Sequence, residues 1–344
     1  MNINAIVEPA LPATIDVIVI GYGPVGAALA ALLGRYGVST LVIDKATDIM
    51  MMPRAIALDN EALRILQMVG LDDNSLERIG IQQVKMHCPL VGEFGQISAG
   101  GAKDGHPKLV TFYQPDLEKV LRARVTASRA VTVKLGCELT SLENTDDGVI
   151  ASINDSQGQS IKVSAKFAVG ADGASSKVRH LISQEFEGET YAQDWLIVDA
   201  IGREGKAIDH IEFLCDPVRP TVHMPAPGGR ERWEFMLQPG EAREEMERPE
   251  KLAELLSRWA AHGTLNIERH AVYRFHARCC KSFQKGRVFL AGDAAHVTPP
   301  FVGQGLVAGL RDVANLGWKL AWAARGLASP AILDSYTRER QPHA

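Results

Sequence analysis

The sequence predicts an α/β fold in which a parallel, nucleotide-binding sheet is interrupted by an inserted, mainly antiparallel sheet domain. Three observations lead there. The apolar run at residues 16–20 enters a glycine turn (Gly21, Tyr22, Gly23, Pro24, Val25, Gly26), then a small-residue helix and a second apolar run closed by Asp44. Residues 287–291 form another strand-like run, which enters Gly292, Asp293, Ala294, Ala295 and His296 before a long helical pattern. Between these halves, residues 191–280 alternate apolar and polar positions as an antiparallel sheet does.

The first unit names a ligand class. Gly21 permits a tight reversal, Gly23 lets backbone N–H groups approach a pyrophosphate, and Gly26 lets the next helix lie close to the sheet. That helix, rich in alanine (Ala27, Ala28, Ala30, Ala31) and stopped at Gly37, points its positive end at the phosphates. Asp44 ends the strand at residues 41–43, where its oxygens can accept hydrogen bonds from a ribose hydroxyl. The arrangement is Rossmann-like, and the implied ligand is an adenine dinucleotide.

The remaining elements follow in order. Pro53, Arg54 and Ala55 precede a helix at residues 59–69, started by Asp59 or Asn60 and ended by Gly70. Residues 82–101 are glycine-containing and weakly strand-like, and Gln114, Pro115 and Asp116 open a helix with proline in its first turn. Runs at 131–135, 149–153 and 161–165, separated by Asp147-Gly148 and Gln157-Gly158, predict an antiparallel meander. Residues 166–169 form a strand ending in Gly170, Ala171, Asp172 and Gly173. Sheet runs at 211–214 and 233–237, a helix at 249–260 and a long helix from near Gly305 complete the chain. The nucleotide-binding domain is thus assigned to 1–80, 106–184 and 281–344, and the substrate-binding sheet domain to 81–105 and 185–280.

Composition narrows the class. The 344 residues are too many for one small core, and 46% apolar with 23% charged residues is ordinary for a soluble globular protein. A net charge of −4, with no basic run interleaved with aromatics, gives no footprint for nucleic acid. No apolar stretch reaches spanning length, and residues 1–14 lack the pattern of a secretory signal and read as a loose arm. The five cysteines form no C-x-x-C, so inert thiols in a reducing cytoplasm are expected, with no metal site.

Two further loops carry a glycine–aspartate pair after a strand, Asp172-Gly173 and Gly292-Asp293, and each carboxylate can reach ribose or ribityl hydroxyls in the ligand crevice. Pro299, Pro300, Phe301, Val302, Gly303, Gln304 and Gly305 then form a stiff loop whose glycines let backbone approach a flat ring. The helix beyond Gly305 aims free N–H groups and a positive dipole end at whatever lies in front, and a reduced flavin, negative near N1, would suit it. An ordinary helix cap fits that segment alone equally well. With no second G-x-G-x-x-G, one dinucleotide is expected to be resident and any nicotinamide cofactor transient.

Taken together, the Gly21–Gly26 turn, Pro53-Arg54-Ala55, Gln114-Pro115, Asp172-Gly173 with Ser176 and Arg179, the Gly292–His296 run, Pro299-Pro300 and Gly303-Gln304-Gly305 occur in a familiar order and spacing. They resemble the single-component FAD-dependent aromatic hydroxylases, the group of para-hydroxybenzoate hydroxylase and phenol hydroxylase, over essentially the whole chain. The resemblance implies that Gly21, Gly23 and Gly26 hold the pyrophosphate and Asp44 the adenosine ribose. It implies further that Arg54 and Gln114 contact FAD phosphates or ribityl, that Asp172 belongs to a motif serving FAD and NAD(P)H, and that Asp293 binds the ribityl chain. Gly303, Gln304 and Gly305 would bring the amides of Leu306 and Val307 to the pyrimidine edge of the flavin, and the Pro300 carbonyl would lie near the reacting hydroxyl. Asp44 replaces the usual glutamate, and Val307 stands where asparagine is common. Relatives often continue into a thioredoxin-like domain, so a chain ending at Ala344 is either a fragment or a compact member.

The implied activity is hydroxylation of a phenolic or other aromatic acid by FAD, NAD(P)H and O2 through a flavin C4a-hydroperoxide. The residues leave the general base open. His223 and His296 are candidates, a hydrogen-bonded structural role being the commoner fate of such histidines. Trp233, Phe235 and Met236 are candidates for the pocket wall, and His223, Phe235 and Pro300 are the substrate-pocket candidates. A homodimer is compatible with the sequence. A halogenase would carry W-x-W-x-I-P, and Trp195, Trp233, Trp259, Trp318 and Trp322 are not so arranged. Epoxidation or hydroxylation of a larger polycyclic ring, and a non-catalytic flavin-binding remnant, are the alternatives.

Overall fold

In a computed structural model, residues 15–202, 208–259, 265–300 and 303–344 are described. The apolar run Val17–Ile20 is wholly buried at the centre of a six-stranded sheet. Its neighbours are Thr40–Asp44 on one side and Phe167–Gly170 on the other, both parallel to it. Val131–Leu135 extends the sheet beyond Thr40–Asp44, and Val288–Leu290 beyond Phe167–Gly170, again in parallel. Short Gln284–Lys285 adds an antiparallel edge. Both faces of the four inner strands are covered, which is why those strands read as unbroken apolar runs instead of alternating ones.

The helix Pro24–Arg35 packs against Gln114–Thr126 and against the long helix Gly305–Ala324. Close approach is made possible by missing side chains. A Cβ on Gly317 would sit 2.7 Å from Leu32 Cδ2, and one on Gly309 would sit 2.6 Å from Val25 Cγ2. Val25 also lies 3.0 Å from where a Cβ of Gly292 would stand, so one valine wedges between the last strand's loop and the long helix.

The expected meander needs one correction. Val131–Leu135 pairs in parallel with Thr40–Asp44, and the three-stranded antiparallel sheet is Glu138–Asn144, Val149–Asn154 and Ser160–Ala165. Glu138–Asn144 is mostly polar and exposed, with Leu139 its one buried residue and a register shift between Leu139 and Ser141. Period-two patterning has little to detect in such a strand, whereas 131–135 carries the apolar alternation that drew it into the wrong sheet.

Eight strands form the second large sheet. Phe186–Ile201 and Asn266–Cys280 run antiparallel through it, flanked on one side by His296–Val297 and on the other by Arg230–Met236, Thr221–Ala226 and Ile211–Leu214. Gln83–Cys88 joins parallel to Ile211–Leu214, and Gly92–Ser98 forms the edge, so residues from 83–98 and 186–280 share one sheet. One face of this sheet packs under the helix Pro249–Leu256, with Leu196, Val198, Trp233, Phe235, Met246 and Leu252 buried between. The other face turns toward the nucleotide-binding half and buries Val222 and Met224 against Ile56 and Ile81. Residues 260–264, the end of the helix expected at 249–260, lie outside the described residues, as do 1–14. Among the described residues no helix is long and apolar enough to cross a membrane.

Candidate active site

Loops at the C-terminal ends of the parallel strands line one crevice. Gly21 is in the left-handed region (φ +104°), and a Cβ there would stand 2.3 Å from Ala171 O; one on Gly26 would stand 2.0 Å from Gly21 O. Backbone therefore fills the space that side chains would need. Gly23 is different: nothing lies within 4 Å of its Cβ position, so the chain is bare toward the crevice there. Asp44 closes this end, accepting hydrogen bonds from Tyr22 N (2.6 Å) and Ala46 N (2.8 Å). The carboxylate thus pins the glycine turn to the end of its strand. Arg122, which the sequence reading did not single out, lies over the Tyr22 ring at 4.5 Å and donates to Tyr22 O, while its buried Nε has no partner.

At the other end of the crevice, Gln114 Oε1 accepts from the backbone N–H groups of Arg54 (2.9 Å) and Ala55 (2.8 Å), holding the Pro53-Arg54-Ala55 segment to the start of its helix. The Arg54 guanidinium is exposed and lies 3.9 Å from Asp293, itself in the one-turn helix Gly292–Ala294. These three residues are therefore brought together. Gly303 is left-handed (φ +65°) and donates to Pro300 O at 2.8 Å, so that carbonyl already has one partner. Gln304 sits at the N-cap of the long helix, and its Oε1 accepts from Arg311, so no side chain caps the first turn of Gly305, Leu306 and Val307. Phe301 and Val302 lie outside the described residues.

Three expected residues have their polar atoms engaged inside the protein. Asp172 accepts from Ser176 Oγ (2.5 Å), Lys177 N (2.7 Å) and Val178 N (3.1 Å), tying its turn to the helix Lys177–Leu181. Arg179 donates to Ala294 O and Ala174 O, joining that helix to the Asp293 loop. His296 is 1% exposed and bonds through Nε2 to Asp312 (2.7 Å), which also accepts from Gly292 N and Arg340. That buried network fixes the start of the loop and leaves His296 no route to a substrate.

Strand register decides what the second sheet offers. Asp199 pairs with Arg232 and Arg269, and the three side chains form a buried cluster: Asp199 accepts from Arg232 Nε (2.6 Å) and Nη2 (3.0 Å) and from Arg269 Nη1 (2.9 Å). Arg232 also donates to the carbonyls of Arg54 (2.7 Å) and Pro53 (3.0 Å), and Arg269 to Pro53 and to the Tyr273 hydroxyl. This face therefore meets the loop that carries Arg54. Glu234, two residues from Arg232, shares the face; burial raises its carboxyl from the ordinary value to about 7, partly opposed by Arg232.

His223 and Phe235 occupy the opposite face. His223 pairs in register with Trp233, stacks on it at 4.6 Å, and bonds Glu231 at 2.6 Å; Phe235 meets Trp259 edge-on at 5.8 Å. The expectation that His223 and Phe235 line the pocket is corrected accordingly, because side chains alternate across a strand and Arg232 claims the crevice side. Both faces of this strand are buried, so polarity alone gave no way to choose between them.

The crevice fits a dinucleotide. Two helix N-termini, at Pro24 and Gly305, open onto it without side-chain caps or acids in their first turns, leaving N–H donors and positive dipole ends for an anionic ligand. The bare backbone at Gly23 and the unpartnered Nε of Arg122 add to the same cradle.

Comparison with known proteins agrees with that geometry. The family model described as FAD binding domain matches residues 14–344. A 3-(3-hydroxy-phenyl)propionate/3-hydroxycinnamic acid hydroxylase of Comamonas testosteroni is 39% identical over 331 residues, covering 96% of this chain and 56% of the relative. The like-named protein of Escherichia coli (strain K12) is 36% identical over 98% of this chain and 61% of its own length. The chain thus spans between about half and three fifths of the curated relatives it matches. The same hydroxylases are the ones that the motifs at residues 215–220 and 232–236 suggest from the sequence alone. Among solved structures, p-nitrophenol 4-monooxygenase from Pseudomonas putida DLL-E4 superposes with a TM-score of 0.86 at 26% identity, covering 95% of this chain and 85% of that one. Aklavinone-11 hydroxylase, solved with FAD and aklavinone, gives 0.84 at 26% identity, covering 95% and 66%.

Proposed function

Because the chain belongs to the FAD binding domain family, we propose that it works as an FAD-dependent monooxygenase that hydroxylates a phenolic acid with NAD(P)H and O2. One observation carries the reading: the cofactor crevice and the buried Asp199, Arg232 and Arg269 cluster meet at a single loop, Pro53 and Arg54, so a ring bound between them would face both. Bound FAD supplies the redox chemistry, linking NAD(P)H oxidation to oxygen insertion.

The chain's own residues do the rest. Gly21, Gly23 and Gly26 let backbone N–H groups reach the pyrophosphate, and Asp44 keeps that turn closed beside the ribose. Asp293 and Arg54 stand where the ribityl chain would pass. The N-terminus of the helix Gly305–Ala324 places amides of Leu306 and Val307 where negative charge on a reduced ring would be stabilised. Apolar Val222, Met224 and Ile56 help keep water from the reacting ring. Beside Asp172, an open cleft of about 570 Å³ lined by Arg179, His180, Glu185, His276 and Arg278 would receive a visiting nicotinamide cofactor, with Arg278 as the guanidinium nearest its phosphates. None of the five cysteines forms a disulfide, which supports a reducing, cytoplasmic setting.

The test is NAD(P)H oxidation with 3-(3-hydroxyphenyl)propionate as probe, with hydroxylated product quantified. Tight coupling of product to NAD(P)H is expected; oxidation that yields only hydrogen peroxide with every phenol tried rejects the reading. A larger ring system is the second reading, favoured by the fold likeness to aklavinone-11 hydroxylase. Product formed from a polycyclic phenol and from no single-ring acid would establish it instead.

A further inference from the structure

The face of the sheet that carries Asp199, Arg232 and Arg269 buries one more charge, and nothing in the fold explains it. Glu234 is 6% exposed. In register it lies between Ile197 and Val222, neither of which offers a side-chain donor. The nearby cations are committed: Arg232 to Asp199 and to the carbonyls of Pro53 and Arg54, Arg269 to Asp199, Pro53 and Tyr273. Arg269 Nε is left over, yet it is sealed from solvent. Among the described residues, no group donates a hydrogen bond to the Glu234 carboxylate.

A buried acceptor with an open lone pair and no internal donor is costly to the fold and calls for a donor from outside. The charged and titratable groups facing it are Arg232 on its own strand, Asp199 on Phe186–Ile201, and Arg269 and Tyr273 on Asn266–Cys280; on this face Thr221–Ala226 contributes apolar Val222, Met224 and Ala226. A substrate carboxylate placed here would meet two acids. A phenolic hydroxyl would meet an acceptor. With its carboxyl near neutrality, Glu234 exchanges protons in the range where a base is most effective.

On the hydroxylase reading given above, we propose that Glu234 accepts the hydroxyl proton of a phenolic substrate. The O–H bond of the substrate breaks, its electron pair stays on the phenolic oxygen and flows into the ring, and the proton forms a new O–H bond on the Glu234 carboxylate. That proton then passes to water. No oxidant or reductant takes part in this step, and a more electron-rich ring attacks an electrophilic oxygen faster.

The experiment uses the FAD-loaded protein, its Glu234→Gln and Glu234→Asp variants, and two probes, 3-(3-hydroxyphenyl)propionate and 3-phenylpropionate, which lacks the hydroxyl. Equal flavin content in all three proteins establishes that folding is intact. The expected result for Glu234→Gln is about 100-fold lower kcat for hydroxylation, loss of an inflection near pH 7, and partial recovery in Glu234→Asp. Binding of the hydroxylated probe should weaken about tenfold while 3-phenylpropionate binds as before. An unchanged pH profile in Glu234→Gln, or equal weakening of both probes, overturns the assignment. Should the wild type itself hydroxylate no phenol, the parent reading fails and this one falls with it; a working wild type with an indifferent variant sinks this one alone.

Discussion

The two halves of the candidate site are built by opposite means. In the crevice of the parallel sheet, the candidate site is built on backbone: glycines at 21, 23 and 26 and two uncapped helix ends, with Asp44, Arg54, Arg122 and Asp293 around them. On the facing sheet, recognition is made of buried side chains: one aspartate between two arginines, with a lone glutamate beside them. A backbone site tolerates almost no added volume. A charge site tolerates volume and suffers when one member of the balance is removed. The contrast predicts different kinds of damage from single substitutions on the two sides.

The largest effect should come from Gly26→Val, since even a Cβ would press to 2.0 Å from Gly21 O; the purified protein is expected to stay colourless after incubation with FAD. A yellow variant of ordinary affinity would mean that the turn has room to shift. Next comes Asp199→Asn, which strands Arg232 and Arg269 without their counter-ion and should cost about 3–5 kcal/mol in denaturant unfolding. A loss under about 1 kcal/mol would show that the carbonyls of Pro53 and Arg54 suffice to hold both guanidiniums.

Glu234 gives a smaller, pH-dependent signal. Its folded value of about 7 lies above the ordinary 4.5, so the native state holds the extra proton between those values, and stability falls as pH rises through that window. Replacement by glutamine removes the slope: relative to wild type, the variant should gain up to about 3 kcal/mol between pH 5 and pH 8. Parallel stability curves for the two proteins would show that Glu234 is not strained in its charged form. Smallest of all, Phe235→Leu should lower stability by about 1 kcal/mol and leave KM for the phenolic probe unchanged, because the ring packs under the helix Pro249–Leu256. A raised KM at normal stability would put that face back in contact with substrate.

The same contrast explains how far the sequence could be read. The crevice was legible because its requirements fall on single residue types at fixed spacing, so Gly21, Gly26, Asp44 and the Gly292-Asp293 turn announce themselves. Asp59 likewise declared its helix, and its side chain does accept from Ala62 N at 2.8 Å. The sheet side was not legible in the same way. Residues 230–236 alternate charged and aromatic positions, yet both faces are buried, and only register with Asp199 shows that Arg232 and Glu234 look toward the cofactor half while Trp233 and Phe235 look away. The cluster joins residues 33 and 70 apart in the chain, a distance over which no local pattern speaks. Strand Glu138–Asn144 was missed for a related reason: its partner supplies the apolar side of the pair.

Val25 has a consequence beyond packing. Its two methyl groups fill the gap between Gly292 and Gly309, so the helix proposed to receive the pyrophosphate and the helix proposed to receive the isoalloxazine share one joint. Positions 25, 292 and 309 are therefore not free to vary independently during evolution: an alanine at 309 would be expected to travel with a smaller residue at 25, and a chain that changed only one of them would grip its cofactor at one end while letting go at the other.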